Sequence, residues 1–77
     1  MNIGMLWFDN DPKTELTAKV DKAAEYYTKK YGRAPNLCLV NPAMLEKKKK
    51  ARAGDIQVEA SGSILPHHLW IGFNGGN

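Results

Sequence analysis

The feature that most constrains this chain is one amphipathic segment between Asp11 and Gly32. Its apolar residues recur at steps of three and four, the spacing of one face of an α-helix. They are Leu16, Val20, Ala23, Ala24, Tyr27 and Tyr31. Asp11 and Pro12 are typical of an N-cap and a first helical position, and Gly32 is typical of the left-handed residue that follows a helix. The pattern predicts one long helix that begins after Asp11 and ends before Gly32.

The lysines of this segment support the same interpretation. They fall mostly off the apolar stripe, and they are Lys13, Lys19, Lys22, Lys29 and Lys30. Glu15 lies four residues before Lys19, a spacing that favours a salt bridge worth about 0.2–0.5 kcal/mol. Lys29 and Lys30 lie where the negative end of the helix dipole attracts cations.

Four apolar or alternating runs predict strands, at residues 3–8, 37–40, 55–60 and 68–73. The order strand, helix, strand predicts a βαβ unit whose two strands are parallel, with a right-handed crossover. In the last run Leu69, Ile71 and Phe73 alternate with Trp70, so the two sets should lie on opposite faces. Asn41 and Pro42 predict one further helical turn, whereas residues 47–53 fit either helix or loop.

We therefore predict an α/β fold: a small two-layer domain with a βαβ unit, two further strands, and one dominant helix packed across a mixed sheet. Seventy-seven residues allow a single domain, 1–77. We expect residues 1–4 to be an extension before Met5 and residues 74–77 to form a flexible tail.

The single cysteine, Cys38, excludes an internal disulfide and, inside an apolar run, is typical of a buried thiol in a reducing compartment. The sequence contains neither a signal peptide pattern nor an apolar stretch near the ~20 residues of a membrane span. We therefore expect a cytoplasmic protein without membrane contact. Its net charge of +3 and pI of about 9.1 permit anionic partners.

Three segments carry a resemblance to a known family: WFDNDP at 7–12, YYTKKYGR at 26–33 and LPHHLWIG at 65–72. Together they are similar to a family of small uncharacterised prokaryotic proteins, over about Met5 to Gly72. No activity is attached to that family, so the resemblance implies a prokaryotic protein and carries over neither functional residues nor a cofactor. We expect the protein to use no cofactor.

A basic segment lies before the third predicted strand and contains five of the eleven basic residues: Lys47, Lys48, Lys49, Lys50 and Arg52. Such a cluster is typical of nucleic-acid or anion binding when aromatic side chains lie nearby, here Trp7, Trp70 or Tyr26. We therefore predict a nucleic acid or an acidic protein surface as the partner. The alternative is a solvated basic loop.

Asp9, Asp11 and His68 form a candidate metal site. Residues 8–11 resemble the first motif of the haloacid dehalogenase phosphatases, in which one carboxylate attacks phosphorus, a second handles the proton and magnesium bridges them. Pro12 and Lys13 depart from that motif. His67 and His68 are neighbours, so in an extended segment only one of them can join the carboxylates. The alternative is structural: Asp11 caps the helix and Asp9 shapes the turn.

Three functions remain open from the sequence. The first is a small non-enzymatic binding module for protein or nucleic acid. The second is a metal-dependent phosphate-ester hydrolase that uses Asp9, Asp11 and His68. The third is a structural or assembly protein, a monomer or weak homodimer, that pairs with a second copy through a sheet edge.

Overall fold

The structure, a computed structural model, describes residues 2–45 and 50–75. Within them one helix packs against a five-stranded mixed sheet, which confirms the predicted α/β class. The elements are β1 (Asn2–Phe8), α1 (Leu16–Tyr31), β2 (Leu37–Val40), a 3₁₀ turn (Pro42–Leu45), β3 (Lys50–Ala53), β4 (Ile56–Ala60) and β5 (His68–Asn74). In this part of the chain, no helix is long and apolar enough to cross a membrane.

The last strand of the chain lies inside the sheet. The strand order is β1-β5-β2-β4-β3, and β5 pairs antiparallel with both β1 and β2. β1 and β2 therefore run in the same direction, as the βαβ pattern predicts, but they are separated by β5 and do not pair. On the other side β4 is parallel to β2, and β3 is antiparallel to β4.

The helix begins at Leu16, later than the predicted start after Asp11. The Asp11 carboxylate accepts hydrogen bonds from the N–H of Lys13 at 2.9 Å and from the hydroxyl of Thr14 at 2.7 Å. These bonds stabilise a turn over the residues that follow, an alternative that short polar side chains offer the backbone. The predicted capping role of Asp11 is therefore wrong.

The other end of the helix and the next turn are as predicted. Gly32 has φ 77° and its N–H donates to the carbonyl of Thr28 at 2.8 Å, a left-handed cap that glycine adopts without a Cβ penalty. Asn41 starts the 3₁₀ turn, since its side-chain oxygen accepts the N–H of Ala43 at 2.9 Å.

The apolar stripe of α1 covers one face of the sheet. Val20, Ala23 and Tyr27 are completely buried. They pack with sheet residues that are at most 1% exposed: Cys38, Val40, Val58, Leu69 and Ile71. Burying an aliphatic side chain of this size contributes about 1.5–3 kcal/mol, so this layer is the main source of stability.

β3 is a strand where the sequence fitted helix or loop. It forms a hairpin with β4 around Gly54, whose φ is 61°. Ala53 lies opposite Ile56, and both side chains are buried. Alternate residues of β3 thus face the core, which favours a strand over a helix or a loop. Lys47, Lys48 and Lys49, with Glu46, lie outside the described residues.

Residues near both ends of the described chain belong to the sheet. Asn74, predicted to be in a flexible tail, is the last residue of β5. Its N–H donates to the Asn36 side chain at 2.8 Å, and the amide of Asn36 donates to the carbonyl of Asn74 at 3.2 Å. Residues 2–4, expected to be an extension, are part of β1. Met1, Gly76 and Asn77 lie outside the described residues.

Gly4 is required where the indole of Trp70 crosses β1. A Cβ on Gly4 would lie 2.2 Å from Cζ2 of that ring. We expect Gly4→Ala to lower the free energy of unfolding by about 1–3 kcal/mol in urea denaturation, because the indole must move. Gly62→Ala is the matched control, since nothing lies within 4 Å of a Cβ at that position. Equal stability of the two variants would show that Trp70 does not rest on Gly4.

Candidate functional site

Asp9 and Asp11 follow β1, and each of their carboxylates accepts hydrogen bonds from nearby residues. Oδ1 of Asp9 accepts the N–H of Asp11 at 3.0 Å. The hydrogen bond from Thr14, followed by that from the N–H of Lys13, lowers the pKa of Asp11 below its ordinary value of 3.8. Because this pKa is lowered on folding, the turn gains stability above pH 3.8 and loses it as the pH falls through the lowered value.

Lys19 is a buried cation beside Asp9. It is only 7% exposed, and its ammonium group donates to the main-chain carbonyl of Asp9 at 3.2 Å and lies 3.8 Å from Oδ1. The contact joins the end of β1 to the start of α1, and partial burial strengthens it by lowering the local dielectric constant.

The two histidines lie on different sides of the sheet. His68 is opposite Phe8 in the ladder with ring centroids 5.0 Å apart, and its Nδ1 lies 2.9 Å from the carbonyl oxygen of Pro66. His67 has φ 67°, an uncommon left-handed conformation for a residue with a Cβ. It lines a hollow of about 220 Å³ together with Thr14, Leu16, Lys19 and Met44. It is thus His67, and not His68, that lies on the side of Lys19.

The three predicted metal ligands do not all meet. Asp9 and Asp11 are hydrogen-bonded neighbours, whereas the His68 ring packs on Phe8 on the face away from α1. Across residues 2–45 and 50–75, no group of three or more His, Cys, Asp and Glu side chains is arranged to hold a metal ion.

The predicted basic segment is described only in part. Lys50 is the first residue of β3 and lies opposite Glu59, while Arg52 is exposed and lies opposite Gln57. Because β3 is the last strand in the sheet order, these two positions lie at the sheet edge. Lys47, Lys48 and Lys49 precede that edge in the sequence and lie outside the described residues.

The face of the sheet away from α1 is here called the open face, since no described helix covers it. Strand pleat and register assign its residues, because residues directly opposite each other share a face. They are Gly4, Leu6 and Phe8 on β1, His68, Trp70 and Gly72 on β5, Leu37 and Leu39 on β2, Gln57 and Glu59 on β4, and Arg52 on β3.

One half of the open face is apolar and aromatic. Leu6 and Phe8 are 60% and 58% exposed, although both are large apolar side chains in a strand. Phe8 packs against His68, and the indole of Trp70 lies over Gly4. A contiguous exposed patch of this kind marks an interaction surface more often than scattered apolar residues do.

The other half of the open face is polar. The side-chain amide of Gln57 donates to the Glu59 carboxylate, and Arg52 lies next to them on β3. The four strand spacings from β1 to β3 span about 19 Å. The polar half therefore lies within reach of a ligand a few residues or nucleotides long that also contacts the aromatic half.

Register also fixes which ends of the strands meet. Phe8 is opposite His68, Leu69 is opposite Val40, and Val40 is opposite Ala60. Lys50 is opposite Glu59, the neighbour of that last residue. The start of β3 at Lys50 is thus at the same end of the sheet as Phe8 and His68.

The sequence did not single out the aromatic residues of the open face correctly. Of the three residues expected to stack on a ligand, Trp7 and Tyr26 contact each other on the helix side, with ring centroids 5.2 Å apart, and only Trp70 is on the open face. Phe8 was missed. The available signal was its alternation with Trp7 in β1, but alternation does not tell which face remains uncovered.

Comparison of the chain with protein-family models, with curated proteins and with solved structures finds no match. The functional interpretation therefore depends on the contacts and charges described above.

The contact between Lys19 and Asp9 can be tested by substitution. We expect Lys19→Met to lower the free energy of unfolding by about 1–3 kcal/mol, because it keeps the apolar stem and removes a charge-assisted contact. Lys22→Met is the control, since Lys22 is exposed on the same helix. If both variants unfold at the same urea concentration, the buried contact does not stabilise the fold.

Proposed function

We propose that this protein is a small non-enzymatic module that binds single-stranded nucleic acid on the open face of its sheet. The observation that carries the proposal is the exposure of Phe8 and Leu6 beside His68 and Trp70, on the face that α1 leaves uncovered. Sheets with aromatic residues on an uncovered face are a recurrent platform for unpaired bases.

The aromatic half of the open face suits bases. Phe8 and His68 present adjacent rings, and Trp70 is held by packing over Gly4, so the ring positions are fixed before a ligand arrives. Stacking of a base on such a ring contributes about 1–3 kcal/mol and tolerates any base, because each base has a π face. We therefore expect little sequence preference.

The basic edge suits phosphates. Arg52 is exposed on the open face, and Lys50 begins β3 at the same end of the sheet as Phe8. Neutralising phosphates releases counterions from the nucleic acid, so binding should weaken as the salt concentration rises. An acidic protein surface would meet the same cations but would make no use of the exposed rings.

The hydrolase alternative has less support. The carboxylates of Asp9 and Asp11 accept local hydrogen bonds, and Lys19 already lies beside Asp9. His68, their proposed third partner, packs against Phe8 and stays close to the carbonyl of Pro66.

A cytoplasmic location is part of the proposal. Burial of Cys38 raises the pKa of its thiol to about 12, so the group stays protonated and unreactive at neutral pH. A buried unpaired thiol suits a reducing compartment. The resemblance to small prokaryotic proteins fits the same proposal.

The main test compares two exposed aromatic residues. We expect Phe8→Ala to weaken binding of a fluorescent oligothymidylate by about tenfold or more, since one stacking ring is lost. Tyr26→Ala is the matched control, because Tyr26 is 51% exposed but lies on the helix side. Binding is measured by fluorescence anisotropy over a range of salt concentrations. Absence of binding at low salt, or equal losses in both variants, would contradict the proposal.

A second test uses the charges of the polar half. Glu59→Gln removes the negative charge opposite Lys50 and diagonal to Arg52 while keeping the side-chain shape, so we expect oligonucleotide affinity to rise by a few fold. Arg52→Gln should lower the affinity and reduce the dependence on salt. Asp55→Asn is the control for charge alone, because Asp55 is exposed in the β3–β4 turn. An unchanged affinity in Glu59→Gln would exclude the polar half from the binding surface.

A further inference from the structure

We infer that the outer edge of β1 pairs with the same edge of a second copy of this chain, so that two sheets become one continuous antiparallel sheet. An uncovered strand edge presents unpaired N–H and C=O groups that another strand can bind. β1 is such an edge: it is the first strand in the sheet order, and within residues 2–45 and 50–75 it pairs with β5 alone. This inference does not depend on the proposed function.

The composition of β1 favours pairing. Its seven residues contain no charged residue and no proline, and its register with β5 is unbroken from Asn2 to Phe8. Natural edge strands avoid pairing with other chains through charged side chains, prolines, bulges or a short length. β1 has none of them.

Charge favours β1 over β3 as the edge at which a second copy pairs. The opposite edge, β3, is four residues long and contains Lys50 and Arg52, so pairing two copies there would bring like charges together. β1 contains no charged residue, so two copies can pair there without repulsion between side chains of the strand.

The hydrogen-bond pattern between β1 and β5 shows which backbone N–H and C=O groups of β1 point away from the sheet. The N–H of Asp9 donates to the carbonyl of His67 at 2.9 Å, just beyond the last pair of β1 and β5. Inward and outward residues alternate in an antiparallel ladder, so the backbone groups of Met5 point toward β5. Those of Gly4 and Leu6 point outward.

This alternation of inward and outward backbone groups along β1 is compatible with a two-fold axis that passes through Met5. That axis brings Leu6 of one copy opposite Gly4 of the other. Both residues have outward N–H and C=O groups, so each N–H can donate a hydrogen bond to the C=O of the opposite residue. Met5 then faces the Met5 of the second copy as a non-hydrogen-bonded pair, with Cα atoms about 4.5 Å apart. The axis is perpendicular to the sheet, so the open faces of both copies lie on the same side and form one surface.

The interface is one strand wide, so a weak dimer that depends on concentration is expected. In sedimentation equilibrium we expect the 8.6 kDa chain to approach twice that mass at high micromolar concentration. Leu6→Pro removes an outward N–H and should leave a monomer, whereas Leu6→Ala loses the same side chain, keeps the N–H and should still dimerise. A monomeric wild-type protein, or a dimeric Leu6→Pro variant, would overturn the inference.

Cross-linking tests the register without relying on the proline variant. Met5→Cys places two thiols at a separation that a disulfide can bridge, so oxidised glutathione should give a covalent dimer in high yield. Leu6→Cys is the control, since it faces Gly4 of the other copy, and the native Cys38 is fully buried. Equal yields from the two variants would overturn the proposed register. A protein that binds oligothymidylate but stays monomeric would overturn the dimer and leave the proposed function standing.

Discussion

The structure depends on the position of β5 between β1 and β2. This strand forms hydrogen-bond ladders on both sides, and it contributes Leu69 and Ile71, both fully buried, to the layer beneath α1. It also fixes the polarity of the sheet, because β1 and β2 are each antiparallel to it. Without β5, the strand at the beginning of the chain would have no described strand to pair with.

A single helix cannot cover a sheet of this width. An α-helix with its side chains is about 10–12 Å across, whereas five strands span about 19 Å between the outer strand axes. α1 buries the central strands on one side, and the second side has no layer of its own among the described residues. The exposed rings of the open face thus follow from a single helix that covers only one side of the sheet, and the basic residues of β3 lie at the opposite edge of the same surface.

The polar residues that follow β1 have a structural explanation. Asp9 and Asp11 shape the turn, and Lys19 ties that turn to the helix through a carbonyl and a carboxylate. These contacts satisfy groups that a sequence motif alone suggested as catalytic. The same proximity of acidic and basic groups can therefore result from closing a connection between a strand and a helix, and only the direction of each side chain distinguishes the two uses.

The sequence by itself determined the α/β class, the long helix with its glycine end, the strand at Leu37–Val40 and the two faces of β5, because these depend on local periodicity and on residues with special backbone preferences. It did not determine the start of α1, since Asp11 can cap a helix or hold a turn and the choice depends on Lys13 and Thr14. Only the tertiary structure decided that β5 separates β1 from β2, that Ala51 and Ala53 belong to a strand, and that Phe8 faces outward. Each of these depends on pairing between distant segments, whose register and uncovered face are set by the packed helix and not by neighbouring residues.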